Sequence, residues 1–249
     1  AYHIENFDEV RIKENALEIL EEELKSKGLK GVVSFGTLSD PYNPEEKELE
    51  LTRNALKLIS KYKFGVSIDT KSDLILRDID LLQEISEYNN VIIKISITTY
   101  DDELARKLEP NVITSTKRFQ VLKILRQNNL YAGVLMTPVL PFLTDTEENI
   151  TNMILKSKES DAKFIYTKMG MTLKTNQRDY YYKALDVLYP GLKEDYIAVY
   201  GSKHICNSLH YRHLMELYLK MCSENNILTD MDAIIEDYKK EIPQNEQMS

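Results

Sequence analysis

Short apolar runs punctuate the chain at 31–36, 65–69, 91–98, 131–138 and 162–168, each of strand length and bounded by polar or turn-forming residues. Between them apolar residues recur at helical spacing: Leu51, Ala55, Leu58, Ile59 and Tyr62, then Leu74, Ile79, Leu82 and Ile85, then Phe119, Leu122 and Leu125. This alternation predicts a parallel sheet with right-handed helical crossovers. A helix carrying Ile12, Ala16, Leu17, Leu20 and Leu24 precedes the first run. A parallel α/β unit begins with a strand, so this is either an unusual start or a chain that has lost its first strand and the loop after it, and the second is expected. From about residue 176 the pattern turns helical and tyrosine-rich, with Tyr180, Tyr181 and Tyr182 consecutive. The expected division is 1–175 as barrel and 176–249 as a helical cap packed on it.

Strand polarity narrows the fold class. In the third run Lys94, Ser96 and Thr98 alternate with Ile93, Ile95 and Ile97, and Ser67, Asp69 and Lys71 repeat the pattern. Alternate residues of a strand point to opposite faces, so one face of this sheet is polar. A doubly wound sheet is apolar on both faces, whereas a barrel that encloses a ligand accepts polar side chains near its strand C-termini. The expected fold is therefore α/β, a partial TIM-like barrel with a helical C-terminal extension.

Composition limits the partners. With 249 residues, 43% of them hydrophobic, the chain is long enough for a large core. Its net charge of -8 sets up no global field for a polyanion, so nucleic acid is not supported as a partner. No apolar stretch has the length of a membrane span, and the start "AYHIENFDEVRIK" does not read as a signal peptide. A cytoplasmic protein without a membrane partner is expected. Cys206 and Cys222 are too few for a disulfide framework and are expected to be buried thiols.

The stretch "GTLSDPYNPEE", from Gly36 to Glu46, is longer than a strand-to-helix connection requires. It reads as a binding loop or as a rigid turn, with Pro41 and Pro44 fixing φ, Asp40 in an Asx turn and Glu45 and Glu46 at a helix N-terminus. Arg77 in "RDIDLL" reads as an ion-pairing residue. "HICNSLHYRH" would put Cys206, His210 and His213 on one helix face at zinc-binding spacing, but it offers no fourth ligand, so packing is expected and no metal. No strand is followed by a glycine-rich phosphate loop, and no strand-end histidine offers a base, which disfavours ordinary phosphate or acid–base chemistry.

"GTLSDPYNPEE", "TKSDLILRDIDLL", "ISITTYDDELARKLEP" and "GVLMTPVLPFLTD", in that order, resemble the spore photoproduct lyase-like branch of the radical S-adenosylmethionine proteins over about residues 1–155. The resemblance implies a partial (β/α)6 barrel and an enzyme. It also implies a [4Fe-4S] cluster on a CxxxCxxC loop that cleaves S-adenosylmethionine to methionine and a 5′-deoxyadenosyl radical. That cysteine loop is not in this sequence, and the resemblance places it upstream of Ala1, so a chain inactive as it stands is expected. By the same resemblance Thr37, Ser39 and Asp40 lie beside the methionine amino group and the target hydrogen. Lys71 follows the next strand. Ser96 and Thr98 approach the methionine carboxylate and ribose, and Met136 and Pro138 belong to the adenine-side strand. Gly36 and Thr37 stand where spore photoproduct lyase has a hydrogen-donating cysteine, which counts against thymine-dimer repair. The resemblance further implies a one-electron reductant such as flavodoxin or ferredoxin. The substrate is not legible, and the alternative is a non-catalytic barrel that binds a partner or small ligand.

Overall fold

Each of the five apolar runs forms a strand in the computed structural model, which describes residues 12–240. The elements run α1 (Ala16–Ser26), β1 (Val32–Phe35), α2 (Glu46–Leu49), α3 (Leu51–Lys61), β2 (Gly65–Thr70), α4 (Ile79–Ser86), β3 (Val91–Ser96), α5 (Asp102–Leu108), α6 (Ser115–Gln127), β4 (Ala132–Met136), α7 (Glu147–Glu159) and β5 (Ile165–Thr167). After β5 come β6 (Gly170–Thr172), α8 (Thr175–Leu188), α9 (Leu192–Tyr200), β7 (Ile205–Asn207), α10 (Tyr211–Glu224) and α11 (Met231–Lys240). The first helix starts at Ala16, so Ile12 lies before it.

All neighbouring strands of the main sheet are parallel, in the order β1-β2-β3-β4-β5. An order without reversal means that every right-handed crossover steps the same way, which puts the connecting helices on one face. This is the arrangement of a partial barrel, not of a doubly wound sheet. On that outer face Ile68, Ile93, Ile95, Val134 and Ile165 pack against Leu56, Ile59, Leu82, Leu122 and Ile154 of the helices, all essentially inaccessible to water.

The inner face is divided along its length. At the strand N-terminal end it is apolar: Ile92, Tyr131 and Phe164 are covered by Ile234 and Tyr238 of α11. Tyr131 lies 5.7 Å from Phe164, ring to ring, and donates a hydrogen bond to Asp237 Oδ2 at 3.0 Å. Gly133 makes room for this packing, since a Cβ there would come within 2.4 Å of the Phe164 carbonyl oxygen. The C-terminal half of the inner face stays polar and partly open.

The crossover from β5 to α10 carries an insert of β6, α8, α9 and β7 with its own core of Leu173, Tyr182, Leu185, Tyr196, Tyr200 and Cys206. Tyr196 ties it to the loop after β4 by donating to the Pro141 carbonyl at 2.8 Å. Leu214, Tyr218 and Cys222 of α10 return to the barrel core. Leu228 then bridges Phe164 in parallel, its N–H donating to Lys163 O at 3.1 Å and its carbonyl accepting from Ile165 N at 2.9 Å. The division expected near residue 176 falls at the start of α8. The insert itself opens earlier, at β6, and after it the chain contributes an outer-layer helix, a single bridge beside β5 and a cover for the inner face.

Candidate functional site

Strand register builds the site. Thr70 pairs with Ile95, so the following residues, Lys71 and Ser96, project side by side at the C-terminal ends of β2 and β3. Thr98 follows Ser96 on the same face. Both are largely buried, and among the described residues neither hydroxyl has a hydrogen-bond partner. One step deeper Asp69 and Lys94 occupy opposed positions, with Lys94 Nζ 2.5 Å from Asp69 Oδ1. Gly36, at φ +95°, lies against them. A Cβ there would fall 2.2 Å from the Asp69 carbonyl oxygen, so this position admits only glycine.

Two buried polar side chains hold the end of β3. Arg118, 1% exposed on α6, donates from Nη1 to Ser96 O at 2.9 Å and to Glu109 Oε2 at 2.7 Å, and from Nε to Ile113 O at 2.9 Å. Its Nη2 is buried with no hydrogen-bond partner among the described residues. Asn149, in the first turn of α7, donates to Thr98 O at 3.0 Å and Thr144 O at 2.8 Å and accepts from Tyr100 N at 3.1 Å. The other oxygen of Glu109 lies 3.1 Å from Lys71 Nζ. Burial pushes the Glu109 carboxyl upward, but Lys71 and Arg118 outweigh that and hold it below its ordinary value. Neither Arg118 nor Asn149 stands out in the sequence, because helix periodicity does not reveal which strand-end carbonyl a polar residue reaches.

The 36–46 loop is a brace. Asp40 Oδ1 accepts from Tyr42 N at 2.9 Å, the Asx turn, and from Thr70 Oγ1 at 2.7 Å, while Oδ2 accepts from Lys71 N at 2.8 Å. Its carboxylate is therefore occupied in pinning the loop to the end of β2. Glu46 caps α3, accepting from Thr52 N at 2.8 Å, and Arg77 pairs with Glu46 and Asp78 as an ion-pairing residue should. Thr37 and Ser39 are exposed and line a cavity of about 490 Å³ beside β1 and α1, together with Ile12, Ala16 and Leu49. Lys71, Ser96 and Thr98 do not line that cavity. The structure thus brings together Lys71, Ser96 and Thr98 but leaves Thr37 and Ser39 apart, with Asp40 linking the two groups.

Two expectations are corrected. Met136 is fully buried in the outer core, because the pleat points it at the helices; Leu135 and Thr137 are its inner-facing neighbours, and Pro138 is exposed at the strand end. Cys206 is on strand β7 and not on the helix of His213, so the supposed common helix face does not exist. His213 Nε2 lies 2.7 Å from Glu147 Oε1, and both residues border a second cavity of about 450 Å³ with Phe142, Asp145 and His210. Among the described residues no three His, Cys, Asp or Glu side chains are grouped to hold a metal. Cys206 and Cys222 are both free and buried, in separate clusters.

A family model described as the radical SAM superfamily matches residues 2–154. The chain belongs to the radical SAM superfamily. It is 36% identical over 138 residues to an uncharacterised protein of Methanocaldococcus jannaschii, covering 55% of this chain and 50% of that one. It is 28% identical over 197 residues to an uncharacterised protein of Mycobacterium tuberculosis, covering 78% and 58%. The chain thus spans about half the length of the curated relatives it matches. Among solved structures it resembles a spore photoproduct lyase mutant, with a TM-score of 0.60 at 11% identity over 86% of this chain and 64% of that one. It also resembles SuiB of Streptococcus suis bound to S-adenosylmethionine, with a TM-score of 0.53 at 13% identity over 94% and 48%. These likenesses establish the partial-barrel fold. No helix among the described residues is long and apolar enough to cross a membrane.

Proposed function

We propose that the mouth beside Lys71, Ser96 and Thr98 binds S-adenosylmethionine, and that the protein to which this barrel belongs is a radical enzyme acting on an as yet unidentified substrate. The carrying observation is a pair of largely buried residues, Ser96 and Thr98, whose hydroxyls have no protein partner among the described residues and are not sealed from solvent, next to the Lys71 ammonium at adjacent strand ends. Lys71 would meet the methionine carboxylate, and the hydroxyls would accept from or donate to the carboxylate and ribose. The apolar plug under the inner face closes the strand N-terminal end, so a ligand enters from the C-terminal end. When bound, S-adenosylmethionine with a [4Fe-4S] cluster supplies reductive sulfonium cleavage and a 5′-deoxyadenosyl radical. The residues present do not fit the cluster, since the sequence holds two cysteines and both are buried apart. This chain by itself should be inactive. A cytoplasmic setting and a flavodoxin- or ferredoxin-like reductant belong to the same reading.

The test is calorimetry with S-adenosylhomocysteine. Without iron to chelate its amino-acid end, the ligand should bind with an affinity on the order of 0.1–1 mM, and Ser96→Ala combined with Lys71→Met should abolish the heat. Unchanged binding by the double variant would refute the assignment. A second reading, a barrel that binds a ligand without radical chemistry, is favoured by the same two buried cysteines. Stoichiometric iron and sulfide retained after anaerobic reconstitution would count against it.

A further inference from the structure

Lys71, Glu109 and Arg118 form one chain of charge across the mouth, from the end of β2 to the end of β3. Glu109 Oε1 faces Lys71 Nζ at 3.1 Å, and its Oε2 accepts from Arg118 Nη1 at 2.7 Å. Arg118 is also fixed to the Ser96 and Ile113 carbonyls, at 2.9 Å each. A lysine paired with a carboxylate alone is a neutral unit and offers an incoming anion little net attraction. Here the guanidinium behind the carboxylate changes that balance, leaving the triad with a net charge of plus one. Arg118 is sealed from water, while Lys71 keeps 39% of its side chain exposed, so the surplus charge is presented at Lys71.

We propose that Arg118 is a positioning residue that cancels Glu109, so that Lys71 remains available to the carboxylate of the ligand, while the same guanidinium fixes the Ser96 strand end. This rests on the cofactor reading above and deepens it. Arginine suits the task because it stays charged when buried and can hold Ser96 and Glu109 at once through its planar fork. Carboxylate preference then follows the net charge of the triad and not Arg118 as a packing element.

The experiment compares S-adenosylhomocysteine with 5′-methylthioadenosine, which has the adenosine and sulfur but no carboxylate, by calorimetry on the wild-type chain and three variants. Arg118→Gln takes the triad to zero and should lower the preference for S-adenosylhomocysteine by about threefold to tenfold. Glu109→Gln takes it to plus two and should leave the preference equal or higher. The double variant restores plus one and should return to near the wild-type ratio. A double variant as poor as Arg118→Gln, or equal losses for both ligands, would overturn the proposal by making Arg118 a packing residue only. If Arg118→Gln does not fold, Glu109→Gln decides alone, and a fall in preference contradicts the charge balance. If the wild-type chain binds neither ligand, the cofactor reading fails first. Sulfate titrated against the chain with nitrogen-15 lysine then still tests the triad by NMR: the Lys71 signal should respond more in Glu109→Gln and less in Arg118→Gln, and identical responses would refute it.

Discussion

The two faces of one sheet obey different rules, and β3 shows both within six residues. Ile93 and Ile95 point outward into a dry core against the crossover helices, while Lys94 and Ser96 point inward to an ion pair and a hydroxyl without a partner. Outward residues are chosen for volume and apolarity, so their cost on removal is one of stability. Inward residues near the strand C-termini contribute little to packing, so their removal should show in binding. Alternation at the scale of single residues is what lets one strand do both.

The largest separation between the faces should come from Ile95→Ala. Deleting a fully buried branched side chain should cost about 2–5 kcal/mol, read by urea denaturation. On the opposite face Ser96→Ala should change stability by no more than about 0.5 kcal/mol, yet remove a ligand hydrogen bond worth roughly 1.5–3 kcal/mol if its partner is charged. A destabilisation by Ser96→Ala as large as that of Ile95→Ala would break the comparison.

An intermediate effect separates the core from the mouth by pH. Burial in the outer core pushes the Cys222 thiol from 9.0 to about 12. The unfolded thiol ionises first, so this contribution to stability is complete below pH 9 and is lost as pH rises towards 12. Cys222→Ala should flatten that alkaline loss in a series of thermal melts, and an unchanged slope would contradict it. Glu109, held below its ordinary carboxylate value, works in the opposite direction. Its contribution is present above the unfolded value of 4.5 and is lost as pH falls through the lower folded value. Glu109→Gln should therefore show less acid destabilisation as pH falls below 4.5, and a smaller effect than Cys222→Ala because the carboxylate is partly open to water.

The contrast also explains what was legible. The five strands could be placed from their apolar runs, and the polar inner face from alternation in β2 and β3, because a period of two survives in short windows. The run at 131–138 does not decide which of its alternate residues face in, so it does not reveal that the Met136 side chain points to the outer core. The strand position of Cys206 is not legible because β7 is three residues long and too short to show any period. The return of α10 to the barrel was hidden by the insert, which breaks the strand–helix spacing. Arg118 and Asn149 were invisible for a different reason. They act on backbone carbonyls of Ser96 and Thr98 about twenty and fifty residues away in sequence, and no sequence pattern encodes that contact.

The most direct test of the account is a crystal structure of the chain soaked with S-adenosylhomocysteine. The ligand carboxylate should lie on Lys71 and its ribose or carboxylate oxygens within hydrogen-bonding distance of Ser96 and Thr98, with Asp40 still holding Thr70 and the Lys71 amide. Ligand seated instead in the cavity beside β1 with Thr37 and Ser39, leaving Lys71 on Glu109 and both hydroxyls without a partner, would contradict it.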